Sequence, residues 1–261
     1  MTAAQPDHLY PDTRPRIAVI GPGALGTLVA GRLARAGLPT LLLDYRLDRA
    51  LLLHERGVCI RHANEESHIA LTVTADPANL HQVDAALVLV KAYQTDAVAA
   101  TLATHLPPHA VALSMQNGLG NVETLQLHLG QDRVFGGTIA QGAILEAPGV
   151  VRDTGSGPIV IGNPAQQADA RLDDLAQALL FAGFAVAITN DLDAALWSKT
   201  ILNAAINPVA ALTRLRNGEL AAHEPSLTLM TAAAREGARI AAKHGIALNI
   251  TDWKARLQTI C

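Results

Sequence analysis

Lys199, Asn203 and Asn207 follow one another at intervals of four within Trp197-Ser198-Lys199-Thr200-Ile201-Leu202-Asn203-Ala204-Ala205-Ile206-Asn207-Pro208. That spacing places three polar groups on one face of a helix. Leu196, Ile201, Leu202, Ala205 and Ile206 around them are apolar, so much of the helix is buried and its amides need partners. A polar seam against a neighbouring loop meets that need, and so does a substrate. The chemistry open to the stripe is specific. A ketone that accepts a hydride gains negative charge on oxygen, and its site must supply a proton and stabilise that charge. A lysine ammonium does both, while asparagine amides orient substrate groups without adding charge. Lys199 is therefore the candidate general acid, and Asn203 and Asn207 are candidate substrate ligands.

A second constellation supplies the hydride donor. Gly21-Pro22-Gly23-Ala24-Leu25-Gly26 follows the short β-branched run Arg16 to Ile20 and opens an apolar helical pattern. A methyltransferase or a plain turn can show three such glycines; the strand before and the helix after them are the context of a dinucleotide fingerprint. There the first glycine makes the tight turn, the second admits the pyrophosphate, the third allows helix and strand to pack closely, and the helix N-terminus faces the phosphates. Asp44, at the end of the next strand, suits a ribose 2′-hydroxyl and NAD. Arg46 suits a 2′-phosphate and NADP. The residues leave that choice open.

Two further candidates lie at strand ends. Lys91 follows the apolar run Ala85 to Val90, and Asn117 follows Ala110 to Met115. In a doubly wound sheet the carboxyl ends of the strands line one crevice, so Gly21, Lys91 and Asn117 should converge there, with Asn117 between cofactor and substrate. No pairing of histidines with carboxylates suggests zinc, and no metal is expected.

Strand and helix alternate from Arg16 to about residue 189, predicting an α/β, Rossmann-type doubly wound sheet, parallel for the most part and covered on both faces. Val58–Arg61 and Ile69–Val73 are expected to form a hairpin, and Thr138–Leu145, Val150–Asp153 and Pro158–Ile161 to be joined by antiparallel turns at Pro148-Gly149 and Gly155-Ser156-Gly157. Beyond Asp191 only helical periodicity remains, over Leu192–Leu212 and Ser226–Lys243. The division expected is a flexible leader (1–15), a dinucleotide-binding domain (16–189) and a smaller all-helical C-terminal domain (190–261).

Composition narrows the function classes. The chain has 261 residues, half of them hydrophobic and 16% charged, which suits a folded core and excludes long disorder. A net charge of −3 leaves no basic excess for a nucleic-acid backbone. Its apolar runs are too short to cross a bilayer. Cys59 and Cys261 make no disulfide framework, and the first residues do not read as a signal peptide, so a cytoplasmic location is expected.

Five stretches, in order along nearly the whole chain, give a resemblance: Gly21-Pro22-Gly23-Ala24-Leu25-Gly26, Val90-Lys91-Ala92-Tyr93-Gln94-Thr95, Gln116-Asn117-Gly118-Leu119-Gly120, Leu196-Trp197-Ser198-Lys199 through Asn203 to Asn207-Pro208, and Asn217-Gly218-Glu219-Leu220. With them the chain resembles the ketopantoate reductases (2-dehydropantoate 2-reductases). The resemblance implies NADPH-dependent reduction of ketopantoate to pantoate, towards pantothenate and coenzyme A. It implies Lys199 as proton donor; Asn117, Asn203 and Asn207 on the substrate; and the glycine turn, Lys91 and Arg46 on the cofactor. Asp44 beside Arg46 departs from a strict NADPH site and keeps NADH in play. Family members also carry a later serine segment and a Thr-Glu-Ile-Asp motif, which this sequence, ending at Cys261, does not contain. The second domain is therefore expected to be incomplete. The readings that follow are a reductase of ketopantoate, one of another branched 2-oxo acid, or a dinucleotide-binding protein without turnover. The partner expected is the small 2-oxo acid, with a homodimer allowed.

Overall fold

The computed structural model describes residues 14–63, 65–155 and 157–261; all but the last two residues of the expected leader lie outside the described residues. β1 (Ile17–Ile20), buried along its length, runs through the glycine turn into α1 (Ala24–Arg35) and pairs in parallel with β2 (Thr40–Leu43). After α2 (Leu47–Arg56), β3 (Val58–His62) and β4 (Glu65–Ile69) form an antiparallel pair, and β5 (Thr72–Thr74) returns beside β2. β6 (Ala85–Val88), α3 (Thr95–His105), β7 (Val111–Ser114), α4 (Asn121–Leu129) and β8 (Val134–Ile139) continue the alternation. β9 (Gly142–Ala147) and β10 (Val150–Gly155) follow, then β11 (Ile159–Gly162), α5 (Ala170–Phe181) and β12 (Val186–Thr189).

The main sheet has eight strands in the order β12-β11-β8-β7-β6-β1-β2-β5, and a smaller sheet has the order β4-β3-β10-β9. Only the β11–β8 pairing breaks the parallel run of the main sheet. From β1 the chain passes to β2 on one side and later to β6 on the other, so the order reverses beside β1 and opens a crevice at its carboxyl end. Both faces are covered, as the composition of the strands requires. Leu33, Leu53, Leu175 and Leu179 from α1, α2 and α5 pack on one face, and Leu102, Leu125 and Leu129 from α3 and α4 on the other. The small sheet sits against α1 through Leu28, Val58, Ile60 and Val151, and buried Asp153 of β10 is bound by Arg32 of α1 and by Gln141 at 2.6 Å.

Four helices follow: α6 (Leu192–Thr213), α7 (Asn217–Ala222), α8 (Glu224–Lys243) and α9 (Trp253–Ile260). Asp191 caps the first, accepting from the Ala194 N–H at 3.0 Å. They build a separate core from Ile201, Ile206, Leu227, Met230, Trp253 and Leu257. No helix among the described residues is long and apolar enough to cross a membrane.

Two expectations are corrected. The partner of β3 is Glu65–Ile69 and not Ile69–Val73, whose end belongs to the main sheet as β5. Glu65, Glu66, Ser67 and His68 give no apolar signal because β4 is an exposed edge, held by cross-strand pairs such as Arg61–Glu66 at 2.9 Å. The segment 138–161 is likewise not one meander: Thr138–Leu145 breaks into two strands, with β9–β10 in the small sheet and β8–β11 in the large one.

Candidate functional site

Gly21 has φ +102°, a left-handed conformation that favours glycine, and a Cβ there would lie 2.7 Å from Val90 Cγ1. A Cβ on Gly26 would lie 1.9 Å from the Gly21 carbonyl oxygen, so only glycine lets α1 start this close to β1. At Gly23 the added atom would meet nothing within 4 Å. That open side faces the first turn of α1, where the Gly23 carbonyl receives the Thr27 N–H at 2.8 Å and the N–H groups of Ala24, Leu25 and Gly26 have no intrahelical acceptor. Beside the turn lies a cleft of about 450 Å³, walled by Ile20, Leu43, Ala75, Pro77, Val90 and Val98. Apolar walls for a base, a glycine cradle and free N–H groups for phosphates fit a dinucleotide.

The cleft is also lined by Asp44 and Tyr45. Asp44 is buried, and its carboxylate receives Arg49 Nε at 2.5 Å, Arg49 Nη2 at 2.7 Å and the Arg46 N–H at 3.0 Å. Arg46 is exposed and pairs with Asp48 through Nε at 3.1 Å and Nη2 at 2.5 Å. Lys91 is exposed just past Val90, its carbonyl accepting the Gln94 N–H at 2.8 Å.

The other strand end is organised by a buried amide. Gln116 Nε2 donates to the Val90 carbonyl at 3.0 Å and to Thr95 Oγ1 at 2.8 Å, and its Oε1 accepts from Ser114 Oγ at 3.1 Å. Thr95 Oγ1 donates in turn to Asn121 Oδ1 at 2.9 Å, and Asn121 Nδ2 to the Asn117 carbonyl at 3.2 Å. Asn117 is thus held by groups that never leave the protein interior. Its exposed side chain accepts from Asn203 Nδ2 of α6 at 3.3 Å.

These contacts make one continuous path from Gly21 to Val90, Gln116, Asn117 and Asn203. Lys199 lies one turn before Asn203, half-buried. Burial pushes its ammonium below the 10.5 of a solvated lysine, and no carboxylate pairs with it among the described residues. A lysine so placed releases its proton more readily than one in water. Asn207, two turns on, is exposed. A second hollow of about 310 Å³ lies next to this region, between Gly118–Glu123 and Leu196, Trp197, His244 and Ile246. Neither hollow is lined by Asn117, Lys199, Asn203 or Asn207, which instead sit where α6 meets the loop after β7.

Sequence reasoning missed Arg49, Thr95 and Asn121 as parts of this arrangement. Arg49 reads as one of several charges on an amphipathic helix. Thr95 and Asn121 carry no local pattern that reveals their pairing across 26 residues.

Residues 17–166 match the family described as Ketopantoate reductase PanE/ApbA, and residues 191–261 match Ketopantoate reductase PanE/ApbA C terminal. The 2-dehydropantoate 2-reductase of Halobacterium salinarum is 33% identical over 235 residues, which cover 90% of this chain and 77% of that one. Its counterpart from Pyrococcus horikoshii is 30% identical, covering 94% and 79%. A crystal structure of 2-dehydropantoate 2-reductase from Geobacter metallireducens superposes with a TM-score of 0.86 at 26% identity, covering 94% of this chain and 81% of that one.

Proposed function

The chain belongs to the ketopantoate reductase family, and from that premise we propose that it reduces 2-dehydropantoate to pantoate with NADPH, Lys199 giving the proton. The cofactor class of such a reductase is a nicotinamide dinucleotide, which when bound supplies the hydride that the substrate's carbonyl carbon accepts. Gly21 to Gly26 and the first N–H groups of α1 hold its pyrophosphate. The apolar cleft would take its adenine end, and Lys91 and Arg46 would meet its phosphates.

The residues of α6 do the rest. Lys199 Nζ–H faces the ketone oxygen, stabilises charge building there and transfers its proton, leaving a neutral amine that water reprotonates. A half-buried lysine with a lowered pKa is suited to this, because its neutral form costs less than in water. Asn203 and Asn207 orient the substrate's carboxylate and hydroxyl groups. Asn117, anchored by Gln116 and Asn121, sets the distance between the glycine turn and α6.

The observation that carries this reading is the unbroken path from Gly21 to Asn203, with a lysine one helical turn away that pairs with no carboxylate among the described residues. It is tested by following NADPH oxidation with ketopantoate and with a panel of other branched 2-oxo acids. Turnover highest with ketopantoate supports the assignment. A higher kcat/KM for another acid moves the substrate, and dinucleotide binding without turnover on any acid rejects the reductase.

A further inference from the structure

We propose that the Asp44–Arg49 pair sets the cofactor preference of the cleft, by withdrawing an acid that would otherwise bind a ribose hydroxyl. The proposal rests on the reading of this cleft as a nicotinamide dinucleotide site. An uncovered carboxylate at the end of β2 accepts from the ribose hydroxyls and repels a 2′-phosphate. Asp44 occupies that position, yet its side chain is 0% exposed. Both its oxygens are engaged by the fork of Arg49, at 2.5 and 2.7 Å, and one also takes the Arg46 N–H at 3.0 Å. The two-pronged fit engages both oxygens where Asp44 lines the cleft and offsets its charge.

Two arginines flank Asp44. Arg49 is 22% exposed, with its guanidinium carbon 5.5 Å from the centre of the Tyr45 ring. Arg46 is 51% exposed, and its partner Asp48 is more exposed still. A surface pair of that kind is weak, and a dianionic phosphate competes well for the guanidinium. Arg49 is a positioning residue here: it turns Asp44 from a ligand into the buried anchor of a site for the 2′-phosphate.

The test is calorimetric titration of the full chain with NADPH and with NADH, without substrate, at one ionic strength. Wild type should bind NADPH more tightly. Arg49→Met uncovers Asp44 and should shift the NADPH-to-NADH affinity ratio towards NADH by about tenfold or more. Adding Asp44→Asn to it removes the uncovered charge and should return most of that shift. Equal weakening of both nucleotides by Arg49→Met means the pair is only scaffolding and overturns the proposal, as does wild-type preference for NADH. Should circular dichroism show Arg49→Met to be unfolded, Arg49→Lys, which covers one oxygen only, carries the same comparison with a smaller shift expected. Wild type that binds neither nucleotide rejects the dinucleotide reading itself, a failure distinct from an unchanged ratio.

Discussion

Asn203 on α6 donates a 3.3 Å hydrogen bond to Asn117, 86 residues earlier in the chain and just past the end of β7. A single exposed amide pair stabilises the fold little, on the order of 1 kcal/mol or less. Its consequence is geometric. Asn117 follows buried Gln116 and is held by buried Asn121, so the bond aligns the polar stripe of α6 with the strand ends beside the glycine turn. A helix has one rotation about its axis that satisfies the bond, and that rotation turns Lys199 and Asn207 the same way.

Asn203→Ala should therefore act on substrate more than on fold. KM for the 2-oxo acid is expected to rise by about ten- to a hundredfold, since the proposed amide partner of the substrate is lost. The dissociation constant for NADPH, measured without substrate, should change little. An equal loss of affinity for both would mean that the bond holds the cofactor site together and that Asn203 does not meet the substrate.

Lys199→Ala should lower kcat by roughly 10²- to 10⁴-fold while NADPH still binds, the usual contribution of a positioned acid. The pH dependence has a definite sign. With Lys199 as the proposed proton donor, kcat should be level at low pH and fall as pH rises through a pKa below 10.5. The same lowered value predicts a stability effect. Between the folded pKa and that of the unfolded chain, the unfolded state holds more protons, so the native state gains stability as pH rises through that window. At lower pH the full cost of burying the ammonium is present. Lys199→Met should then melt higher than wild type at neutral pH, with the gap narrowing in alkali. A lower melting temperature at neutral pH would show that the ammonium has a stabilising partner.

Much of this arrangement was legible in the sequence because its signals are local. The glycine turn and the Lys199–Asn203–Asn207 stripe each lie within a dozen residues, and their spacings translate directly into a turn and a helix face. Alternating buried runs gave the main sheet, since strands covered on both faces must be apolar throughout. The misses have a shared cause. β4 is polar because it is an exposed edge, and its pairing rests on charges such as Arg61 and Glu66 that look like solvated surface. The hold of Arg49 on Asp44 buries an acid that the sequence offers to a ribose hydroxyl, and neither residue reveals that alone. Gln116, Thr95 and Asn121 form a network only once two strand ends and two helices have met.

The fingerprint glycines separate folding from binding. Gly26→Ala places a methyl 1.9 Å from the Gly21 carbonyl, a contact relieved only by moving backbone, so it should cost several kcal/mol, roughly 2–4, and depress the melting temperature. Gly23→Ala meets open space at φ −72° and should leave thermal stability close to wild type. Its methyl occupies the approach of the pyrophosphate, so dinucleotide affinity should drop by about tenfold or more. Melting curves and nucleotide titrations on the two variants decide this. Gly23→Ala that binds NADPH as wild type does would remove the phosphates from the turn.

Gln116→Leu tests whether the buried amide network positions the site. Gln116 is 6% exposed, and its replacement leaves the Val90 carbonyl and Ser114 Oγ without their Gln116 partner, while Thr95 Oγ1 keeps its bond to Asn121. The unsatisfied groups should cost about 1–3 kcal/mol in chemical denaturation. Because Val90 walls the dinucleotide cleft and Asn117 follows Gln116 directly, the loss should reach both ligands, raising KM for substrate and for NADPH together. That joint rise separates this variant from Asn203→Ala, which should move the substrate alone. Destabilisation with both KM values unchanged would assign the network to the core of the sheet and leave Asn117 to be held by Asn121 and Asn203.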